Sequence, residues 1–364
     1  MNQTTLCLDH DACSLPEGSI ERIGFDIGWD HARHGLVPPP ELLIEGTPLG
    51  QGWRTGKAVF GGRTLPAPRS TRQWLALRIG AWRRGIAFET QQLTPHYLSQ
   101  IESDHCPILR TPLGGAAGQA DAPVVERLNR QAGYAAGNVA LMSQRAVRAR
   151  EGVDLIEALR RARRIESGAA PIDGLDAAAW IRLAVLGSMS TTLPFFEAAR
   201  LPLAVLPPNR VRLLNAPQGL QALLTLQFAA PGWSARTRSI AALLPEHTHR
   251  QDFNLFVGAI APRVLEAETF GPALRWALED AWLHERVQRR WQHFVHSLGD
   301  AGTATLLERA ATLGLANVRT LQHESAQATE GWALPDGGRI RRPTRLPLAP
   351  MHAPRHPQLA QQAI

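Results

Sequence analysis

Apolar residues recur at helical spacing through most of the second half of the chain. Beyond a Gly/Ala/Pro segment at 168–171, apolar stretches lie at 177–186, 194–199, 220–228, 239–244, 252–264, 271–298 and 302–315. Spacings of three and four residues place apolar positions on one face of a helix, and the alternation typical of strands does not stand out. The pattern predicts an all-α domain over residues 168–335.

A pattern that includes strands precedes this helical region. Tryptophan and leucine recur at helical spacing over residues 70–88, which predicts a helix leading into the segment that follows. Short apolar runs at 124–128 and 139–142 are separated by glycine-rich turn chemistry, which predicts two strands. Ser143 is then expected to be the N-cap of a helix that runs to about residue 164.

These elements together predict an α+β protein. A small ββα module with flanking helices is expected over residues 70–167, followed by the mostly α-helical C-terminal domain. Residues 1–50 are rich in Pro and Gly, and we expect an irregular N-terminal region over 1–69. Residues 337–364 are Pro-rich and carry five arginines without an acidic residue. We therefore expect a disordered basic tail over 336–364.

Length and composition narrow the class of protein. The chain has 364 residues, of which 44% are hydrophobic, so it is long enough for two or three domains and too apolar to be mostly disordered. Three cysteines do not make a disulfide framework and favour a reducing compartment. No apolar run approaches the roughly 20 residues of a membrane span, and the first residues lack the pattern of a secretion signal. We expect a cytoplasmic protein without a membrane partner.

Positive charge is concentrated in one part of the chain. Residues 51–150 hold 14 Lys and Arg against 5 Asp and Glu, a net charge of +9, whereas the remaining residues hold 25 against 27, a net charge of −2. A local excess of this kind favours a polyanionic partner, and nucleic acid is the first candidate. The alternative is a solvated basic surface without a partner.

The basic segment also contains a motif. Cys106-Pro107 stands where a hairpin is expected, and the first predicted strand is followed by Gly133-Tyr134-x-x-Gly137-Asn138-Val139 and then by Ser143. In order and spacing, residues 104–150 resemble the HNH (ββα-metal, or His-Me finger) endonuclease family. The resemblance implies a ββα-metal module that acts on nucleic acid, with DNA as the expected partner.

The resemblance also assigns roles by position. Members of the family hold one divalent metal with a strand carboxylate and a side chain on the helix, while a strand histidine activates water as the general base. Glu126 stands at the position of the carboxylate and Arg127 at that of the base, and the helix positions hold Val147 and Arg150. A guanidinium does not take up a proton near neutral pH, and a valine does not bind metal. The resemblance therefore implies a module whose catalytic residues are largely replaced.

Nucleic-acid binding without efficient cleavage is accordingly the leading hypothesis. The excess positive charge would contact phosphate groups with little sequence preference. The arginines expected to make these contacts lie on the predicted strand, on the helix after it and on the helix that leads in: Arg127, Arg130, Arg145, Arg148, Arg150, Arg83 and Arg84.

Two other hypotheses remain open. In an active nuclease, Glu126 and Asp104 would bind Mg²⁺ or another divalent metal, and His105 would act as the general base. In a protein without enzymatic activity, the helical domain would bind a protein partner. A Cys₃His zinc site of atypical spacing is a further alternative, formed by Cys7, His10, Cys13 and Cys106.

Overall fold

The computed structural model describes residues 15–267, 271–315 and 325–341. Within these residues the structure is helix-rich with one two-stranded antiparallel sheet, so the α+β class is confirmed at this coarse level. The largest apolar core lies in the helical domain and reaches one face of the sheet, while a second core lies against the other face. Among the described helices, none is long and apolar enough to cross a membrane.

The N-terminal part of the described chain is a tightly packed helical hairpin. Helix α1 (Ile20–Arg33) and helix α2 (Pro48–Phe60) are joined through a 3₁₀ turn (Pro40–Leu42). A Cβ atom added to Gly28 would lie 2.0 Å from a main-chain oxygen of α2, so the two backbones meet where glycine leaves room. The expectation of an irregular region over 1–69 is therefore wrong for these helices, because glycines that are typical of turns here permit helix packing.

Two helices lead into the sheet. Helix α3 (Arg69–Arg83) corresponds to the helix expected over 70–88, and it ends where Gly85 adopts a left-handed conformation with φ of +64°. Helix α4 (Pro95–Gln100) begins at Thr94, whose hydroxyl accepts a hydrogen bond from a main-chain N–H of the first turn. The two helices pack against each other beside one face of the sheet.

The sheet follows the predicted order of strand, turn, strand and helix. Strand β1 (Pro123–Arg127) and strand β2 (Val139–Ser143) pair antiparallel in one continuous register. Helix α5 (Gln144–Ala149) starts directly after β2, and the Ser143 hydroxyl caps it by accepting a main-chain hydrogen bond. Both strands lie within a residue of the positions expected from the apolar pattern.

The helix expected from residue 143 to 164 is in fact two helices, so that prediction is wrong. Helix α6 (Leu155–Glu166) begins after a turn that contains Gly152, whose φ of +72° is not helical. Asp154 caps α6 by accepting a hydrogen bond from its first turn. The turn allows Arg150 to reach back to the sheet.

The described residues of the helical domain up to residue 315 contain seven helices: α7 (Ala177–Met189), α8 (Phe195–Arg200), α9 (Ala216–Phe228), α10 (Trp233–Leu243), α11 (His247–Glu266), α12 (Gly271–Ala281) and α13 (Glu285–Thr312). Their interior holds fully buried aromatic side chains, among them Trp180, Trp282 and Trp291. The single helix expected over 271–298 is broken between α12 and α13. Helix α13 instead continues to Thr312 through a kink at Gly299, where φ is +72°.

The last described segment, residues 325–341, packs on the turn between β1 and β2 and on the backbone after α3, and is called the C-terminal strap below. It contains helix α14 (Ser325–Ala328) and a 3₁₀ turn (Leu334–Asp336). Trp332 is fully buried, and its Nε1–H donates a hydrogen bond to the carbonyl oxygen of Ala136 at 3.1 Å. A single aromatic side chain therefore anchors the strap beside the turn that joins β1 to β2.

Main-chain hydrogen bonds hold the end of the strap. The N–H of Ala87 donates to the carbonyl of Gly338 at 2.9 Å, and the N–H of Ile340 donates to the carbonyl of Gly85 at 3.0 Å. The disordered tail expected from residue 336 is therefore wrong for residues up to 341, because these residues pair with the backbone after α3. Residues 342–364 of that expected tail lie outside the described residues.

Candidate nucleic-acid interface

A cluster of arginines surrounds the acidic side chain of β1. The Arg130 Nε atom lies 4.0 Å from the Glu126 Oε1 atom. Arg84 Nη2 donates to the Tyr134 hydroxyl at 3.0 Å, and the Arg127 guanidinium lies 5.3 Å from the centre of the same ring. We call this group the arginine cluster, and its members are Arg84, Arg127, Arg130, Arg150, Glu126 and Tyr134. It brings together five of the expected site residues: Glu126, Arg127, Arg130, Arg150 and Arg84.

Arg150 is the most deeply buried arginine of the cluster. Its Nη1 donates to the carbonyl oxygen of Arg127 at 2.5 Å, and its Nη2 donates to the carbonyl oxygen of Leu128. Burial, with repulsion from Arg130, lowers the pKa of Arg150 to about 10. The guanidinium fastens the end of α5 to the end of β1. The prediction that Arg150 contacts nucleic acid directly is therefore wrong, since its donors are directed at the backbone.

Arg127 supports the loop that follows β1. Its Nη1 donates to the carbonyl oxygens of Arg130 at 3.0 Å and Ala132 at 2.7 Å. Burial lowers the pKa of Arg127. A guanidinium that donates to two carbonyls does not serve as a general base. We therefore revise the expected role of Arg127, from catalysis or nucleic-acid contact to support of the loop.

Positive charge in the arginine cluster exceeds negative charge. Four guanidinium groups accompany the carboxylate of Glu126, and Arg130 Nη1 donates to the carbonyl of Arg150 at 3.1 Å, which keeps like charges close together. The side chains of Arg130 and Glu126 are 31% and 13% exposed, so solvent screens their surroundings only in part. An anion from solution would offset the repulsion within the cluster.

The other arginines expected to contact nucleic acid are exposed. Arg145 and Arg148 are three residues apart on α5 and therefore share a face of that helix. Arg148 Nη2 donates to the carbonyl of Gly118 at 3.2 Å, which places it beside the loop before β1. Arg83 and Arg84 are exposed at the end of α3. All four side chains are accessible to a partner from solution.

The turn that carries the sequence motif is a buried structural element. Asn138 Oδ1 accepts the N–H of Asn129 at 2.8 Å, and its Nδ2 donates to the carbonyls of Asn129 at 3.0 Å and Gly133 at 2.9 Å. Gly137 has φ of +89°, and a Cβ atom there would lie 2.5 Å from the Arg212 side chain. The motif residues therefore form a hydrogen-bonded turn that positions β1 and β2.

Asp104 and His105 lie in a different place from Glu126. They line a cleft of about 410 Å³ between the loop after α4 and helix α12, and the His105 ring packs edge-on against Trp276 with 5.6 Å between ring centres. Leu141 lines the same cleft and pairs with the residue before Glu126 in the sheet. Because neighbouring strand residues point to opposite faces, Glu126 projects from the other face. The structure does not bring these three predicted site residues together.

The donors at Glu126 do not fit a divalent metal. The guanidinium groups of Arg130 and Arg150 lie beside its carboxylate, and they repel a cation. In the part of the chain that the structure describes, no group of three or more His, Cys, Asp or Glu side chains has the arrangement of a metal site. Cys106 is buried, and its Sγ accepts the N–H of Ser143 at 3.4 Å. The other residues of the zinc alternative, Cys7, His10 and Cys13, lie outside the described residues.

Sequence reasoning missed the ionic network that joins the loop between α4 and β1 to the helical domain. Arg110 Nη1 and Asp280 Oδ2 are 2.8 Å apart, and Arg110 Nη2 lies 3.1 Å from Glu279 Oε2. The Glu279 side chain is only 2% exposed, and it also accepts the main-chain N–H of Leu206 at 2.8 Å. The partners are 170 residues apart, so no local pattern links them.

Similarity to other proteins supplies no family for this chain. Comparison with protein-family models, with curated proteins and with solved structures finds no match.

Proposed function

We propose that this chain binds nucleic acid, with duplex DNA as the expected partner, through an HNH-like ββα module whose catalytic positions are replaced. The observation that carries the proposal is the arginine cluster, in which four guanidinium groups accompany one carboxylate beside the sheet. The planar guanidinium group donates two parallel N–H bonds to two oxygens of a phosphate, which other basic side chains do not do. The order of strand, turn, strand and helix supports the same proposal.

The arginines divide into a set that is bonded to the backbone and a set that is accessible. Arg127 and Arg150 hold the backbone of the module in place. The accessible set would contact phosphate groups, and it contains Arg83, Arg84, Arg130, Arg145 and Arg148. Contacts to phosphates carry no direct sequence information, so we expect binding with little sequence preference and strong salt dependence.

Fluorescence anisotropy with a labelled short duplex, over a series of salt concentrations, tests the proposal. Arg130→Ala should weaken binding and reduce the slope of log K against log salt by about 1, the loss of one phosphate contact. Arg286→Ala removes an exposed arginine of α13 and should leave the slope unchanged. A wild-type chain that does not bind at low salt would overturn the proposal. Comparing the affinity for the duplex with the affinities for single-stranded DNA and for RNA of the same sequence identifies the preferred nucleic acid.

Metal-dependent cleavage is the competing proposal, and it has its own measurement. Plasmid DNA is incubated with the full chain in Mg²⁺ or Mn²⁺, with Glu126→Ala alongside. Nicking that requires metal and is lost in Glu126→Ala would replace our proposal with an active nuclease. Salt-sensitive binding without nicking is the result that we expect.

An apolar groove where α6 meets the helical domain favours a second candidate function, the binding of a protein partner. The groove has a volume of about 350 Å³ and lies between α6 and α8. Ile156 lines it and is 67% exposed, so the groove presents a large apolar side chain to solvent. Ile156→Asp should abolish capture of such a partner and leave nucleic-acid binding intact. Loss of both would indicate a damaged fold.

A further inference from the structure

A groove rich in arginine lies where three separate parts of the chain meet. It has a volume of about 690 Å³ and is formed by the start of α1, the end of α3 and the end of the C-terminal strap. Its lining includes three arginines from two of these parts, Arg84, Arg339 and Arg341, together with Glu21. Arg84, Arg339 and Arg341 are all exposed. The groove is therefore accessible and carries more positive than negative charge.

The backbone holds the arginines of the groove in place. Arg339 pairs with Ile86 as an isolated antiparallel bridge, and the neighbouring N–H of Ile340 donates to the carbonyl of Gly85 at 3.0 Å. Arg339 Nη1 also donates to the carbonyl of Arg84 at 3.0 Å. The strap thus presents its charges from a paired main chain, which reduces the entropy lost when a ligand binds.

Gly338 allows the backbone of the strap to approach the rest of the chain this closely. Gly338 has φ of +70°, and a Cβ atom there would lie 2.4 Å from the main-chain carbon of Ala132. Only glycine adopts this conformation at such a short distance without strain. The path of the strap beside the turn of the sheet is therefore tightly specified.

The acidic neighbours neutralise the groove only in part. Arg341 Nε lies 3.8 Å from Asp336 Oδ1, but the Arg341 side chain is 85% exposed, so this ion pair is weak. Glu21 is an exposed residue at the start of α1. Two carboxylates thus accompany three arginines, and the guanidinium groups remain suited to an anion such as phosphate.

Arg84 links this groove to the arginine cluster. Its Nη2 donates to the Tyr134 hydroxyl in the cluster, and the same residue lines the groove. We propose that the groove is a second phosphate-binding subsite, so that one nucleic acid contacts both the arginine cluster and the C-terminal strap. This inference rests on the proposed function, and it adds Arg339 and Arg341 to the binding surface.

The full-length double variant Arg339→Ala/Arg341→Ala tests the inference by salt-dependent anisotropy with the same duplex. The slope of log K against log salt should fall by about 2, since two phosphate contacts are lost. The matched control is Arg286→Ala/Arg290→Ala, which removes two exposed arginines from α13 and should leave the slope unchanged. Arg341→Ala alone should reduce the slope by about 1. Because its side chain is largely exposed, this variant should preserve the fold.

The outcomes separate the two proposals. If the wild-type chain does not bind, the proposed function and this inference are both overturned. If Arg130→Ala weakens binding but the double strap variant behaves like its control, only the second subsite is overturned. If both reduce the slope, while thermal unfolding of Arg341→Ala matches the wild type, the strap is part of the binding surface.

Discussion

Arg150 joins α5 to β1 by donating a hydrogen bond from Nη1 to the carbonyl oxygen of Arg127 at 2.5 Å. The next carbonyl, that of Leu128, accepts from Nη2 of the same guanidinium. Both carbonyls lie at the end of β1, where strand pairing stops. One side chain thus supplies a donor to two main-chain acceptors at the end of the strand. Helix and strand are thereby held in a fixed relation beneath the arginine cluster.

Arg150→Ala should lower the free energy of unfolding by about 2–4 kcal/mol, because a buried and a part-buried main-chain carbonyl each lose a donor. Urea denaturation measures the change. Arg145→Ala is the matched control on α5, since Arg145 is exposed, and its effect should stay within about 0.5 kcal/mol. Equal effects of the two substitutions would contradict the structural role of Arg150.

The chain has two tyrosines, and both should titrate at a higher pH in the folded protein than after unfolding. Burial raises the pKa of Tyr97 and of Tyr134 above the ordinary value of 10.0. Because folding raises the pKa, each buried neutral phenol contributes to the free energy of unfolding. This contribution is complete below about pH 10 and is lost as the pH rises through the folded pKa. Phenolate absorbance during alkaline titration, with Tyr134→Phe to assign the signals, measures both groups.

Phenolate absorbance measures the titration of the two tyrosines more directly than the pH dependence of the free energy of unfolding does. The lowered pKa of Arg150 acts in the opposite direction at alkaline pH, because the unfolded chain then holds its proton more tightly than the folded one. Titration of both tyrosines at the same pH in buffer and in denaturant would show that neither phenol is buried as the structure places it.

The sequence predicts the local parts of the fold well. The strands and the cap at Ser143 were predictable because an apolar run, a turn and a cap act over neighbouring residues. The hairpin of α1 and α2 was not predictable from its glycines, since a glycine that permits helices to touch resembles one that forms a turn. Whether Gly28 does one or the other depends on the helix that packs against it.

The candidate site was predictable only in part, for a similar reason. Positions carried over from the family motif group Glu126 with Arg150, and these residues belong to one cluster. Asp104 and His105 form an Asp-His pair whose chemistry suits a metal ligand and a general base, yet they lie on the opposite face of the sheet from Glu126. Composition alone predicts a disordered tail at the strap arginine Arg339, because composition does not reveal pairing with the distant backbone after α3.

Trp332 should be the main anchor of the C-terminal strap. Trp332→Ala removes a fully buried side chain and should destabilise the protein by about 3–5 kcal/mol. Trp332→Phe keeps most of the packing but loses the hydrogen bond to Ala136, so a smaller loss of about 1 kcal/mol is expected. Limited proteolysis should cleave the strap of Trp332→Ala before the rest of the chain. Unchanged protection in that variant would contradict the anchoring role.

Glu126→Gln removes the negative charge of the arginine cluster and keeps the size of the side chain. Because the remaining guanidinium groups then act on phosphate without an opposing carboxylate, binding of the duplex at low salt should tighten about fivefold, which is about 1 kcal/mol. An active metal site predicts the opposite, because neutralising its carboxylate weakens metal binding and metal-dependent cleavage. Anisotropy in the absence and presence of Mg²⁺ measures both effects in one series.

Glu308→Gln is the control for this prediction, since it changes the net charge equally at an exposed position of α13. It should leave binding unchanged at moderate salt, where charges farther apart than roughly 10 Å are screened. Equal tightening in the two variants would mean that overall charge, and not the arginine cluster, governs binding. Weaker binding by Glu126→Gln alone would mean that the carboxylate itself takes part in recognition, and the assignment of the cluster to phosphate contact would then be wrong.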